Sequence, residues 1–298
     1  MRSAKAFRRV PLVLGLSALV LTACSNGGRG AGNTAGDVAT EFVHVHGLAV
    51  DKSGVLWVAT HRGLIRQNGS SWVYASKDRN DYMGFTVDPT TGTLYRSGHP
   101  ESGGTLGAES STDGSTWRHL ADVLSPPADF HAMTLNYATP GVLFGWDSGG
   151  RGFFSSRNGG TTWGRLSSSG LTDPGIIALA APKQAGVVFA GTATGLFRSS
   201  DDGSTWALMQ SLKEPVIALA CDPADPKHLL AFTQTGMVVS RDGGSSWQAA
   251  SQGISNGSYI GAIAISPVDP SIAYAAAATT LYETKDGGQH WTVLRAGK

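Results

Sequence analysis

Side chains able to do chemistry crowd the first half of this 298-residue chain. His44, His46, His61, His99 and His131 are five of its eight histidines; Asp81, Glu101, Asp129 and Asp147 interleave with them, and Met83 adds a thioether. Neutral imidazole is a ligand for zinc and copper, and a thioether beside it shifts the preference toward copper. Two carboxylates about 5 to 10 Å apart are instead the equipment of a glycosidase. A metal-bound water would merge the two chemistries into a metal-assisted hydrolase. The pairs His44/His46, Asp81/Met83 and Asp129/His131 are each two residues apart, which puts both members on one side of an extended strand. His46, His61, His99 and His131 are therefore expected as imidazole ligands, with His44 and Met83 beside them. Asp81 and Asp129 are expected to orient the rings. No short ligand motif such as His-Glu-x-x-His occurs, so the set has to be assembled by the fold.

The fold that must assemble it is written in a repeat. Ser240-Arg241-Asp242-Gly243-Gly244-Ser245-Ser246-Trp247 recurs at Ser156 to Trp163, Ser199 to Trp206 and Thr284 to Trp291, with worn copies at Ser110 to Trp117 and Ile65 to Trp72. The closing tryptophans, at 72, 117, 163, 206, 247 and 291, are spaced by 45, 46, 43, 41 and 44 residues. That is the period of a four-stranded propeller blade. The expected fold is all-β: a six-bladed β-propeller of four-stranded antiparallel blades, with strands A to D and the repeated phrase as the C-to-D turn, spanning residues 41–298. In blade 1, His46 to Val50, Val55 to Thr60, Leu64 to Gln67 and Trp72 to Ala75 read as the four strands.

Topology then sorts the loops. The start of A, the end of B and the B-to-C loop share one mouth, and the A-to-B and C-to-D turns share the other. At the first position of strand A, blades 1 to 3 carry His46, Met83 and His131, whereas blades 4 to 6 carry Ile177, Ile217 and Gly261. At the end of B, blades 1 and 2 give His61 and His99, blade 3 offers Asp147, and blades 5 and 6 give Gln234 and Ala278. Blade 2 also has the longest B-to-C loop, which contains Glu101. A repeat needs near-identical blades for structure alone, so these departures mark the functional mouth.

The repeated phrase resembles the Asp box, or BNR repeat, of sialidases and related propellers, where the boxes are structural and lie away from the active site. A calcium role is disfavoured because each turn offers only one or two carboxylates. His46-Gly47-Leu48-Ala49-Val50-Asp51, Asp81-Tyr82-Met83-Gly84-Phe85, Ser97-Gly98-His99-Pro100 and Asp129-Phe130-His131-Ala132 look like a family of bacterial exported propellers described as glycosylhydrolase-like. That resemblance implies a glycosidase using Asp81, Asp129, Asp147 or Glu101, with Tyr82, Phe130 and Trp146 free to stack on sugar rings. The sialidase pattern is not met. It needs an arginine triad with a Tyr and Glu pair, and only Arg62 and Arg151 fall near this mouth. The fold also resembles photosystem II assembly factors, which implies a third possibility, a protein-interaction platform.

The first forty residues stand apart. Arg2, Lys5, Arg8 and Arg9 precede the apolar run Val10 to Leu21, a secretory signal too short to be a stable membrane span. It ends in Leu21-Thr22-Ala23-Cys24, which resembles the lipobox of bacterial lipoproteins and implies cleavage after residue 23, lipidation of Cys24 and a place on the outer side of the cell membrane. Residues 24–40 are rich in Gly, Ala and Asn and read as a flexible tether. Without the signal the chain has 19 basic and 22 acidic side chains, a net charge of −3. That balance gives no basic footprint for nucleic acid. Cys221 is the remaining cysteine, so no disulfide forms within the propeller. The expected partners are a small ligand, a metal or a glycan, with the membrane reached through Cys24, and the expected state is a monomer.

Overall fold

The structure is a computed structural model that describes residues 34–172 and 175–297. The signal segment and Cys24 lie outside the described residues. The described chain forms twenty-four strands and no helix. Blade 1 holds β1 to β4 (Val45–Val50, Leu56–Thr60, Gly63–Asn68, Ser71–Tyr74), and blade 2 holds β5 to β8 (Asp81–Val87, Leu94–His99, Ala108–Ser111, Arg118–Ala121). Blade 3 holds β9 to β12 (Phe130–Leu135, Leu143–Asp147, Gly152–Ser156, Gly164–Arg165), and blade 4 holds β13 to β16 (Ile176–Ala180, Val188–Thr192, Leu196–Ser199, Ala207–Leu208). Blade 5 holds β17 to β20 (Val216–Cys221, Leu229–Thr233, Gly236–Ser240, Gln248–Ala249), and blade 6 holds β21 to β24 (Ile260–Ile265, Ala273–Ala277, Thr280–Thr284, Trp291–Arg295). Each blade is a four-stranded antiparallel sheet in sequential order, and the inner strands β1, β5, β9, β13, β17 and β21 neighbour one another in a closed ring. The fold is the expected six-bladed propeller.

Every inner strand carries an irregularity at the same height. In β1, Val45 pairs with Thr60 and Gly47 with Ala59, so His46 is an extra residue with no partner across the ladder. The same step falls at His131, Ile177, Ile217 and Gly261, and in β5 it takes in Met83 and Gly84. A bulge turns its extra side chain out of the pleat. Here the six turned positions line the mouth of the central channel. Below them Leu48, Phe85, Met133, Leu179, Leu219 and Ile263, one from each blade, line the channel and close it with apolar side chains.

The repeated turns close on themselves by hydrogen bonds. Ser240 Oγ donates to Asp242 Oδ1 at 2.8 Å and accepts from Gly244 N at 2.8 Å, while Asp242 Oδ1 accepts from Ser246 N at 2.8 Å. In four of the turns the closing tryptophan donates Nε1 to the second glycine's carbonyl, as in Trp163 to Gly160 (2.8 Å) and Trp206 to Gly203 (2.9 Å), whereas Trp247 Nε1 is buried without a partner. These turns bond to the A-to-B loops of their own blades: Gly159 N to Gly141 O, Gly243 N to Lys227 O and Gly287 N to Ser271 O. They therefore lie at the mouth opposite the histidines. The second glycine also seats the turn on the preceding blade. A Cβ on Gly114 would come 2.5 Å from Trp57, one on Gly288 would come 2.5 Å from Leu230, and one on Gly203 would overlap the Phe153 ring. The worn copy in blade 1 is a plain hairpin, Asn68 opposite Ser71, where a Cβ on Gly69 would meet no neighbour within 4 Å.

Ring closure uses no shared strand, since β21 to β24 are all contiguous. Residues 36–39 instead run along the outer edge of blade 1, through Gly36 N to Tyr74 O, Tyr74 N to Asp37 O and Ala39 N to Trp72 O. The paired chain thus begins before residue 41, inside the stretch whose composition reads as tether. Phe42, buried, meets Trp72 edge-on at 5.2 Å and lies under the Arg295 guanidinium at 3.8 Å, and Arg295 Nη2 donates to Thr40 O at 2.8 Å. Val45 N to Ala278 O, 3.0 Å, joins blade 1 to blade 6 beside the mouth.

Two predictions follow from the turns. Gly203→Ala is expected to destabilise by about 2 to 4 kcal/mol, from positive φ plus overpacking, while Gly69→Ala loses only about 1 kcal/mol; urea unfolding separates the two. The Asp242 carboxyl is held at about 2, first by the Ser246 hydroxyl and then by backbone donors, and Asp113 is held at about 2, first by Thr116 N. A depressed folded-state value contributes stability above about pH 4 that is lost as pH falls toward about 2. The melting temperature is expected to drop across that window. Asp242→Asn, which copies Asn158 of blade 3, is expected to flatten the drop.

Candidate metal centre at the mouth of blades 1 to 3

The bulges deliver His46 and His131 to the mouth, and the ends of the second strands deliver their partners. His61 directly follows β2, and its backbone N donates to Val43 O and His44 O. Asp81 opens β5 and pairs across the ladder with His99 at the end of β6. Blades 2 and 3 approach closely here because Gly84 has no side chain; a Cβ there would strike the Phe130 carbonyl. The outcome is two groups built alike, each straddling two blades: His46, His61 and Asp81, and His99, Asp129 and His131. In each, the ligand-type atoms lie within 4.8 Å of one another.

In the first group His46 Nε2 lies 3.2 Å from Asp81 Oδ1, and His61 Nδ1 lies 2.8 Å from Asp81 Oδ2. The His46 contact is close but off-line, and both of its atoms are buried without a hydrogen-bond partner. In the second, His131 Nε2 lies 3.1 Å from Asp129 Oδ2 and His99 Nε2 lies 3.5 Å from Asp129 Oδ1. Asp129 Oδ1 is again buried and unpartnered. His99 Nδ1 sits 2.9 Å from Gly104 O. A carbonyl only accepts, so that nitrogen carries the hydrogen, and in the neutral ring Nε2 presents a bare lone pair to a bare carboxylate oxygen. Burial works to raise both carboxyls, but the imidazoles outweigh it. Protonated His46, His61 and His99 hold Asp81 below its usual value, and protonated His131 and His99 with the Ser148 hydroxyl do the same for Asp129.

The remaining candidates separate. His44, at φ 46°, places its ring 4.4 Å from that of His46, and its pKa is lowered, first by burial and then by His46 and His61. Met83 lines the mouth with His46 and His131. Asp147 is fully buried and committed to structure: Arg151 Nη2 and Nε lie at 2.6 and 2.9 Å, and Asp129 N donates to it at 3.0 Å. Its carboxyl is lowered against burial, chiefly by Arg151. Glu101 is exposed and accepts from Arg79 N at 3.3 Å rather than joining either group. Tyr82 and Phe130 are fully buried and Trp146 packs against the core between blades 3 and 4, so Tyr82 and Phe130 cannot stack on a sugar as the resemblance implied. Two contributors escaped the sequence reading: Ser148, whose Oγ donates to Asp129 Oδ2 at 2.6 Å, and the Gly104 carbonyl. Neither has a sequence signal beyond lying in a B-to-C loop.

No family model matches the chain, and no curated protein matches it. Solved structures do share the fold. A GH74 enzyme from Niastella koreensis superposes with a TM-score of 0.61 at 16% identity, covering 88% of this chain and 55% of its own. The GH74 xyloglucanase from Xanthomonas campestris gives 0.56 at 16%, covering 88% and 56%. YCF48 bound to D1 peptide gives 0.51 at 14%, covering 86% and 82%. The chain spans about half the length of these two GH74 enzymes. At such identities the likeness is one of fold: a propeller with both enzymes and a peptide-binding protein among its structural neighbours.

Removing the partner of a buried charge strands that charge. Arg151→Met is therefore expected to cost about 3 kcal/mol or more in denaturant unfolding, with Arg151→Lys in between.

Proposed function

We propose that this propeller binds a transition metal, copper or zinc, at the mouth of blades 1 to 3, in two His-Asp-His sites. The observation that carries the reading is the pair of unpartnered contacts: His46 Nε2 against Asp81 Oδ1, and His99 Nε2, bared by the Gly104 bond, against Asp129 Oδ1. With Gly104 fixing the hydrogen on Nδ1, a neutral His99 turns a lone pair toward Asp129, and the His46 contact makes no aligned hydrogen bond, so each leaves a buried carboxylate oxygen that a cation would satisfy. Nitrogen and oxygen ligands 2.0 to 2.2 Å from a tetrahedral zinc stand about 3.4 Å apart, close to the 3.2 and 3.5 Å found here. His46, His61 and Asp81 would hold one ion and His99, Asp129 and His131 the other, with His44 next to the first and Met83 as a soft ligand that favours copper.

Bound metal would supply a polarised water or a carrier site for the ion itself. A glycosidase at the same mouth, the reading favoured by the fold of the GH74 neighbours, keeps only Asp81 and Asp129, because Asp147 and Glu101 are otherwise engaged. Anchoring through Cys24, supported by the sequence that precedes it, would set the mouth to work outside the cell membrane, as a monomer.

Metal analysis of the mature chain, without a histidine tag, after equilibration with copper or zinc is expected to give two ions per chain. His46→Ala or His131→Ala should each remove about one, and the double variant both. Substoichiometric binding by the unaltered chain, or binding unchanged in the double variant, overturns the reading.

A further inference from the structure

The other half of the mouth is built of different chemistry. Where blades 1 and 3 turn His46 and His131 to the channel, blade 5 turns Ile217, and where blades 1 and 2 end their second strands in His61 and His99, blade 5 has Gln234. Beside them lies a hollow of about 440 Å³ between the B-to-C turn of blade 5 and the segment that leads into blade 6. That volume falls in the range of small-ligand sites, about 300 to 1,000 Å³. None of its fourteen lining residues carries a formal charge. Its floor is Ile217, Ile254 and Phe232, and its rim carries the amides of Gln234 and Asn256 with several hydroxyls.

Tyr259 forms one wall and is 62% exposed, a large aromatic left in solvent. It is held rather than loose: its ring meets Phe232 at 6.1 Å, edge to face, and the loop before it is tied down by Tyr282 Oη, which donates to Ser255 Oγ at 3.2 Å and lies 3.3 Å from Ser258 Oγ. Beyond Tyr259 a second hollow of about 360 Å³, lined by Ser258, Tyr282 and Thr280, extends as far as His44. Tyr259 is thus a ridge between two neutral hollows on one face.

A ligand suited to this surface has an apolar face for an aromatic ring, many hydroxyls for neutral amides and hydroxyls, no charge, and enough length to cross a ridge. We propose that the blade 5 and blade 6 side of the mouth is a carbohydrate subsite, in which a neutral oligosaccharide crosses Tyr259 with one sugar ring stacked on it. An anionic glycan lacks a counter-charge here and meets Glu214, which accepts from the lining Thr235 at 2.8 Å, and a purely apolar ligand leaves the rim amides unpaired. Tyr259 and the first hollow stand on residues separate from the proposed metal ligands and do not depend on metal; only the far end of the second hollow meets His44.

The test is calorimetry of the full mature chain against neutral hexasaccharides of glucose, xylose, mannose and N-acetylglucosamine, with a polyuronate and an apolar fluorophore as contrasts. At least one neutral hexasaccharide is expected to bind. Tyr259→Ala should weaken it at least about tenfold with an unchanged melting temperature, and Tyr259→Phe should retain it. The His46→Ala, His131→Ala double variant should bind the sugar as the unaltered chain does, which separates this proposal from the metal reading. Failure of all four sugars to bind, binding of the polyuronate or fluorophore alone, or sugar binding untouched by Tyr259→Ala overturns it.

Discussion

No blade of this protein has a core of its own. The six buried apolar clusters fall one to each seam: Trp57 and Phe85 between blades 1 and 2, Tyr95 and Phe154 between 2 and 3, Phe144 and Phe197 between 3 and 4, Phe189 and Leu219 between 4 and 5, Leu230 and Ile263 between 5 and 6, Val58 and Ala264 between 6 and 1. A single blade would leave both faces wet, so the ring is the smallest unit that buries its apolar surface. Each repeated turn serves that requirement. Its side-chain hydrogen bonds close the turn, its backbone bonds to the A-to-B loop of its own blade, and its second glycine is bare so that the neighbouring blade can come close. The seam between the last blade and the first is fastened by other means, Arg295 over Phe42 and residues 36–39 on the blade 1 edge.

Because the seams carry the stability, the bulged residue in each inner strand is released from structural duty. Its backbone makes no ladder pair, and its side chain faces the channel mouth instead of a neighbouring sheet. Six such positions around one ring can differ without weakening the ring, as His46, Met83, His131, Ile177, Ile217 and Gly261 do. The apolar layer beneath them separates whatever is held at the mouth from the turn-bearing face. The same device, repeated with different side chains, yields an ionisable half and a neutral half of one surface.

The architecture was legible in the sequence because it follows from period and turn chemistry, both local properties. The six evenly spaced tryptophans set blade number, and in register with them His46, His61, His99 and His131 stand out as departures on one face. What alignment could not supply was pairing. That Asp81 would face the imidazoles of blade 1 while lying opposite His99 depends on the approach of adjacent blades, a tertiary distance set by residues such as Gly84. Asp147 shows the limit most clearly. By position it belongs with the mouth residues, yet one neighbour four residues on, Arg151, withdraws it into the structure. Tyr82 and Phe130 alternate with the mouth residues and point the other way, into the seams. The pairing of residues 36–39 with blade 1 has no signal in the sequence because three backbone bonds, not side-chain composition, hold it.

Both histidine groups straddle seams, and that placement has a mechanical consequence. His46 and His61 come from blade 1 but Asp81 from blade 2; His99 comes from blade 2 but Asp129 and His131 from blade 3. Whatever draws these side chains together also draws three consecutive blades together at the mouth, the end of each seam that lacks the repeated turns. Blades 4 to 6 have no such polar link between their bulged residues; apolar contact, the Tyr282 hydroxyl bonds and the Thr235 to Glu214 bond hold that side of the mouth. On the opposite face blades 2 to 6 carry turns of one design, so the contrast between blades is greatest at the mouth, between a half linked by imidazole and carboxylate and a neutral half left open as a groove. A ligand that spans His44 and Tyr259 would sit across that boundary, which the second hollow already bridges.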